Sequence, residues 1–158
     1  IPTLIGVLIF CYTLFFSYKL DRIMASPDPR HKAYDWSANN IPAGKTIGFD
    51  FLPQAFYPSI NLELHKALHM QMDYNRLPLI DYYVANDQVY LQFLRLAYRY
   101  PRQAQYFRTI LYSSSFKLLA RFENELNILG MKFKKVNIPH DYLYFMPRVE
   151  IYERAKNL

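Results

Sequence analysis

The chain opens with an apolar run from Ile1 to Tyr18 that contains no charged residue, and this run constrains the fold more than any other feature. As a helix it would be roughly 27 Å long, close to the thickness of a bilayer's hydrocarbon layer. It lacks the polar stripe that a helix on the surface of a soluble domain keeps. Tyr18, Lys19 and Arg22 stand at its end, a pattern typical of a membrane interface. The run therefore predicts a single-pass transmembrane helix, with an apolar helix buried in protein as the alternative.

The rest of the chain predicts a mainly α fold, in which the transmembrane helix precedes a small helical domain with long irregular arms. Pro27 and Pro29 end the first helix, and prolines recur without a sustained apolar period up to Pro58. The predicted units are a transmembrane anchor and juxtamembrane helix (1–25), an extended loop (26–58), a helical domain of about three helices (59–130) and a C-terminal extended arm with a short helix (131–158).

Apolar spacing places the helices within the domain. The first runs from about Ile60 to Asn75, and the second begins near Pro78 or Asp87 and ends at Tyr100. A third is expected to start at Pro101 and to end at Gly130, with a possible break at the serines 113–115. In the final arm, residues 131–136 form a short strand or an extended segment, and residues 149–156 form the last short helix.

Six basic residues lie in one segment, between Gln88 and Phe122, that contains no Asp or Glu. They match the formal net charge of +6, and they are Arg95, Arg99, Arg102, Arg108, Lys117 and Arg121. Such a segment is expected to bind an anionic partner. Anionic lipid head groups, an acidic surface of another subunit and RNA are the candidate partners. An ordinary solvated helix face is the alternative interpretation.

Candidate chemistry is sparse. His65, His69 and Asp73 would share one face of the first predicted helix, and a zinc or iron site there is the strongest metal hypothesis. That face lies opposite the apolar one, so we expect a solvated or partner-facing stripe and no metal. The single cysteine, Cys11, excludes a disulfide framework and a cysteine-based metal site. No spacing of nucleophile, base and carboxylate predicts catalysis, so we expect neither an enzyme nor a cofactor.

These observations favour a non-catalytic accessory subunit of a large membrane protein complex. Aromatic residues make up 18% of the chain, with 15 Tyr and 12 Phe, and such residues are enriched in the cores of protein–protein interfaces. We expect an integral protein of the mitochondrial inner membrane, in an assembly of the respiratory-chain or ATP-synthase type. The expected partners are other subunits and possible anionic lipids, and nucleic acid is not favoured. The alternative is a membrane-tethered module that recruits RNA or an acidic protein through the basic Arg/Tyr segment.

Overall fold

The protein folds around a five-stranded mixed β-sheet that carries helices on both faces. The computed structural model describes residues 2–50, 60–61, 63–124, 126–128, 131–133 and 147–155. The helices are α1 (Pro2–Met24), α2 (Pro29–Asn40), α3 (Asp87–Arg95) and α4 (Pro101–Tyr112), with a 3₁₀ helix at Tyr74–Leu79. The strands are β1 (Thr46–Phe49), β2 (Lys66–His69), β3 (Tyr82–Asn86), β4 (Phe116–Phe122), β5 (Leu126–Ile128), β6 (Met131–Phe133) and β7 (Val149–Arg154).

The strand order in the main sheet is β2-β1-β3-β7-β4, and β5 and β6 form a separate antiparallel pair. Strands β1, β2 and β3 are parallel, whereas β7 runs antiparallel to both β3 and β4. All five residues of β3 are buried, and Val84 pairs with Ile151 at the centre of the sheet. Because these three strands are parallel, their carboxyl ends lie at the same end of the sheet. Ligands bind at this end in many open sheets of this kind.

The two faces of the sheet contribute to two hydrophobic cores. Helix α2 covers one face, where its Ala33 packs with Ile47, Val84 and Ile151. Helices α3 and α4 pack on the other face, where Tyr83, Phe107 and Ile110 are fully buried. Alternate residues of β3 and β7 point to opposite cores, as the two-residue period of a strand requires.

Helix α2 replaces part of the loop predicted over 26–58. Pro29 occupies its first turn, and the Asp28 side chain caps it by accepting a hydrogen bond of 2.8 Å from the Arg30 N–H. The pair Asp28 and Arg30 also forms a salt bridge. The sequence predicts that Pro27 and Pro29 only end α1, but Pro29 begins the next helix.

The predicted mainly α fold is wrong, because the centre of the molecule is the mixed sheet. The helix predicted from Ile60 to Asn75 is replaced by β2, which pairs in parallel with β1. The short helix predicted over 149–156 is replaced by β7, the strand between β3 and β4. The third predicted helix ends at Tyr112, and β4 follows. The apolar spacing of these regions is compatible with a helix, but they form strands because their backbones pair with segments that are distant in sequence.

The prediction of a transmembrane anchor is also overturned. Helix α1 forms, but none of the helices in the described ranges is long and apolar enough to cross a membrane. Lys19, Asp21 and Arg22 occupy the last turns of α1. The predictions of a single-pass membrane protein and of an integral location in the mitochondrial inner membrane are therefore not supported.

Candidate binding surface

Helices α3 and α4 form a hairpin whose inner side is held by aromatic contacts. The Asn86 side chain caps α3 by accepting a hydrogen bond of 3.0 Å from the Gln88 N–H. At the other end of the hairpin, the Phe93 ring stacks on Phe107 with 5.7 Å between centroids and meets Tyr100 edge-on at 5.6 Å. These contacts hold the three aromatic rings on the inner side of the hairpin.

Four arginines of the hairpin, including one in the turn between its helices, are exposed: Arg95, Arg99, Arg102 and Arg108. We call them the arginine surface. None of them forms an ion pair with another residue in the described part of the chain. Tyr98 lies between two of these arginines in sequence and is 84% exposed. The arginine surface therefore presents uncompensated positive charge together with an accessible aromatic ring.

Lys117 and Arg121, the other two residues of the predicted basic segment, lie on β4. Lys117 is exposed on this edge strand, where a lysine also discourages pairing with another chain. The Arg121 Nε donates a hydrogen bond of 2.7 Å to Glu150 Oε1. The basic segment is thus divided into four unpaired arginines on the hairpin and two cations on the sheet edge.

A cavity of about 660 Å³ adjoins the arginine surface where α4 begins. One wall is the turn that follows β2, and the other is the first part of α4. Its lining residues are Gln71, Met72, Asp73, Tyr74, Pro101, Arg102, Gln103 and Gln105. Arg102 therefore belongs both to the arginine surface and to this cavity.

Asp50 holds the turn that forms the first wall. Gln71 and Met72 have φ values of 55° and 52°, in the left-handed region that residues other than glycine rarely adopt. The buried Asp50 carboxylate accepts hydrogen bonds from the Met72 N–H at 2.8 Å and from the Tyr83 hydroxyl at 2.9 Å. Burial and the negative charge of Asp50 raise the pKa of Tyr83 well above its usual value. A charge-assisted pair of hydrogen bonds thus stabilises the unusual turn.

A second carboxylate, Glu150, is buried between the sheet and α3. It accepts hydrogen bonds from the Tyr90 hydroxyl at 3.2 Å and the Tyr152 hydroxyl at 3.1 Å, besides that from Arg121. Burial and the charge of Glu150 raise the pKa of both tyrosines. Sequence reasoning missed this cluster, because residues 149–156 were assigned to a helix. The alternation of apolar and polar residues in Val149–Arg154 is the pattern that could have indicated a strand.

The structure does not support the metal hypothesis. His65 lies in the turn before β2, while His69 ends β2 and Asp73 caps the 3₁₀ helix, so no helix face brings them together. The described ranges contain no group of three or more residues that could hold a metal ion. His65 is instead buried, and neither of its ring nitrogens has a hydrogen-bond partner among the residues that the structure describes.

The residues predicted for a membrane interface, Tyr18, Lys19 and Arg22, all lie on α1. Tyr18 is exposed, as are most of the apolar side chains between Leu4 and Phe15. The prediction that these three residues mark an interface depended on the transmembrane interpretation of α1. Without that interpretation, α1 is an exposed apolar helix that contacts β5.

Comparisons of the chain with protein-family models, curated proteins and solved structures give no match.

Proposed function

We propose that the chain is a non-catalytic subunit of a larger protein complex and that its arginine surface binds an acidic surface of another protein. The observation that carries this proposal is the group of four exposed arginines without an ion pair in the described part of the chain. Charged groups of opposite sign steer association and fix the register of an interface. Arginine also pairs with carboxylates through two parallel hydrogen bonds and is enriched in interfaces.

The exposure of α1 supports membership in a complex. Leu8 and Phe10 are each more than 60% exposed, and apolar neighbours surround them on the same helix. Large contiguous apolar surfaces are rare on monomeric proteins, and where they occur they usually mark an interaction site. An apolar surface of a partner protein is the occupant that fits this proposal. The arginine surface then gives specificity, and α1 adds buried area.

The test uses the full chain and a fluorescent peptide rich in glutamate, with binding followed by anisotropy. The variant R95Q/R99Q removes two cations from the arginine surface, and K66Q/K117Q removes two exposed cations from the two edge strands as the matched control. Exposed ion pairs contribute about 0.2–1 kcal/mol each, so R95Q/R99Q should weaken binding roughly 2- to 30-fold. Equal weakening by the control would refute a localised site. The affinity should also fall as salt increases.

A second candidate function is the binding of single-stranded nucleic acid, and the exposure of Tyr98 favours it. Accessible aromatic rings stack on bases, and each such contact is worth about 1–3 kcal/mol. The same anisotropy assay with an unstructured oligouridine distinguishes the two functions. If the oligonucleotide binds more tightly than the peptide and Tyr98→Ala weakens it at least 5-fold, nucleic acid replaces acidic protein as the partner.

A further inference from the structure

The open cavity beside Arg102 is large enough to receive a small group from a partner. Its volume of about 660 Å³ lies within the range of cavities that bind small ligands. Three of its lining side chains are the amides of Gln71, Gln103 and Gln105, which can donate or accept hydrogen bonds. The Tyr74 ring supplies an aromatic wall. The three amides can therefore form directional hydrogen bonds with a polar group that enters the cavity.

The lining carries two charged side chains, the Arg102 guanidinium on one wall and the Asp73 carboxylate on the other. Asp73 Oδ1 accepts a hydrogen bond of 2.9 Å from the Asn75 N–H, and Asp73 Oδ2 lies 3.9 Å from Arg76 Nε. The Asp73 carboxylate is thus already engaged within its own turn. Arg102, on the opposite wall, has no ion pair within the described residues. An incoming group with a single negative charge would balance this guanidinium.

Both walls are held in place before any ligand binds. The Asp50 carboxylate fixes the Met72 N–H, and the Tyr74 ring packs edge-on against Tyr106 with 5.5 Å between centroids. Tyr106 is itself fully buried in α4. A contact between the two walls therefore sets the width of the cavity, and such preorganisation lowers the entropic cost of binding.

We propose that this cavity receives one carboxylate side chain, Asp or Glu, from the protein partner of the arginine surface. The inference rests on the proposed function and names the group that the partner inserts. The Arg102 guanidinium pairs with both carboxylate oxygens, and the glutamine amides supply the remaining hydrogen bonds. A phosphate monoester fits less well, because its second charge has no cation in the cavity and lies near Asp73.

Two single variants separate the cavity from the general charge of the surface. R102Q and R108Q each remove one exposed, unpaired arginine from α4, but only Arg102 lines the cavity. With the glutamate-rich peptide, R102Q should weaken binding about 10-fold or more, whereas R108Q should weaken it about 2- to 5-fold. Equal effects of the two variants would overturn the cavity inference and leave the proposed function intact. No binding by the unmodified chain would overturn both.

A second measurement needs no substitution. Two-dimensional NMR spectra of the full chain are recorded while N-acetylglutamate amide, a single carboxylate, or inorganic phosphate is added. The carboxylate probe should shift the amide resonances of residues 71–74 and 102–105 in a saturable manner. Tighter binding of phosphate at the same resonances, or shifts spread evenly over the arginine surface, would overturn the assignment to a carboxylate.

Discussion

Alkaline pH should unfold this protein cooperatively, because four tyrosine hydroxyls are buried in their neutral form: Tyr83, Tyr90, Tyr106 and Tyr152. Burial and neighbouring carboxylates raise the pKa of each. The unfolded chain ionises its tyrosines near pH 10. Above that pH the unfolded state loses protons that the folded state retains. The stabilisation is therefore complete below about pH 10 and is lost as the pH rises toward the folded pKa values.

The size of the effect follows from the number of hydroxyls. Each tyrosine contributes a slope of about 1.4 kcal/mol per pH unit once the pH exceeds its unfolded pKa. Four such groups give about 5 kcal/mol per unit, so the free energy of unfolding should fall by about 5–6 kcal/mol between about pH 8 and pH 11. A domain of this size is stable by about 5–15 kcal/mol. The loss is thus comparable with a large part of the total stability.

Urea denaturation followed by circular dichroism, repeated at several pH values, measures this slope. Tyr90→Phe should reduce the alkaline slope by about a quarter and cost about 1 kcal/mol at neutral pH, because its hydrogen bond to Glu150 is lost. Tyr98→Phe removes an exposed hydroxyl and is the control. The reasoning is refuted if the tyrosinate absorbance shows every tyrosine ionised near pH 10 while the circular dichroism spectrum stays native.

Three substitutions test other parts of the fold. Gly48→Ala should cost about 1–3 kcal/mol of stability in urea denaturation, because the added methyl would lie 2.8 Å from the buried Met70 Sδ; an unchanged midpoint would contradict this packing. Asp50→Ala should cost about 1–3 kcal/mol by leaving the Met72 N–H without its acceptor, and NMR should show the change centred on that turn. Asp28→Ala should cost about 1 kcal/mol at neutral pH through loss of the α2 cap. Burial opposes ionisation of Asp28, but hydrogen bonds from the adjacent arginine lower its pKa. The difference from the unmodified chain should therefore shrink as the pH falls below about 4, and a difference that persists in acid would contradict the assignment.

The sequence predicts the helices whose information is local. Pro101 begins α4 as expected, and the buried Ala104 and Phe107 belong to the apolar face that the 3.6-residue spacing predicts for this helix. Helix α1 also forms over nearly the whole apolar run. In these segments the signals that determine the helix, such as the apolar period or a proline in the first turn, lie within the helix itself.

The strands could not be predicted in the same way, because their partners are distant in sequence. Val84 pairs with Ile151, and β2 is stabilised by its pairing with β1 across the segment between them. A four-residue strand such as Lys66–His69 carries too few residues to establish a two-residue period against a competing helical one. The sheet therefore arises from pairings that a local pattern does not contain.

The same distinction applies to the candidate site. The arginine surface was predictable because a segment without acidic residues is visible in the sequence. The cavity was not, because it forms only where the turn 71–74 meets α4, and that contact depends on Asp50 and Tyr106. The role of Arg102 in the cavity is therefore a property of the tertiary structure.

The distribution of ion pairs explains why the positive charge remains available on one surface. The carboxylates of the described residues that form salt bridges pair with cations outside the arginine surface: Asp28 with Arg30, Asp81 with Lys45, Asp73 with Arg76, Glu123 with Arg148 and Glu150 with Arg121. Several of these pairs also hold structural elements, such as the cap of α2 and the β4–β7 pairing. The carboxylates of these pairs cannot neutralise the arginines of the hairpin without loss of these contacts. Four of the nineteen basic residues therefore lie on the arginine surface without an ion pair in the described part of the chain. A partner that supplies carboxylates can bind there without displacing an existing ion pair, so its binding should depend on salt while the stability of the fold changes little.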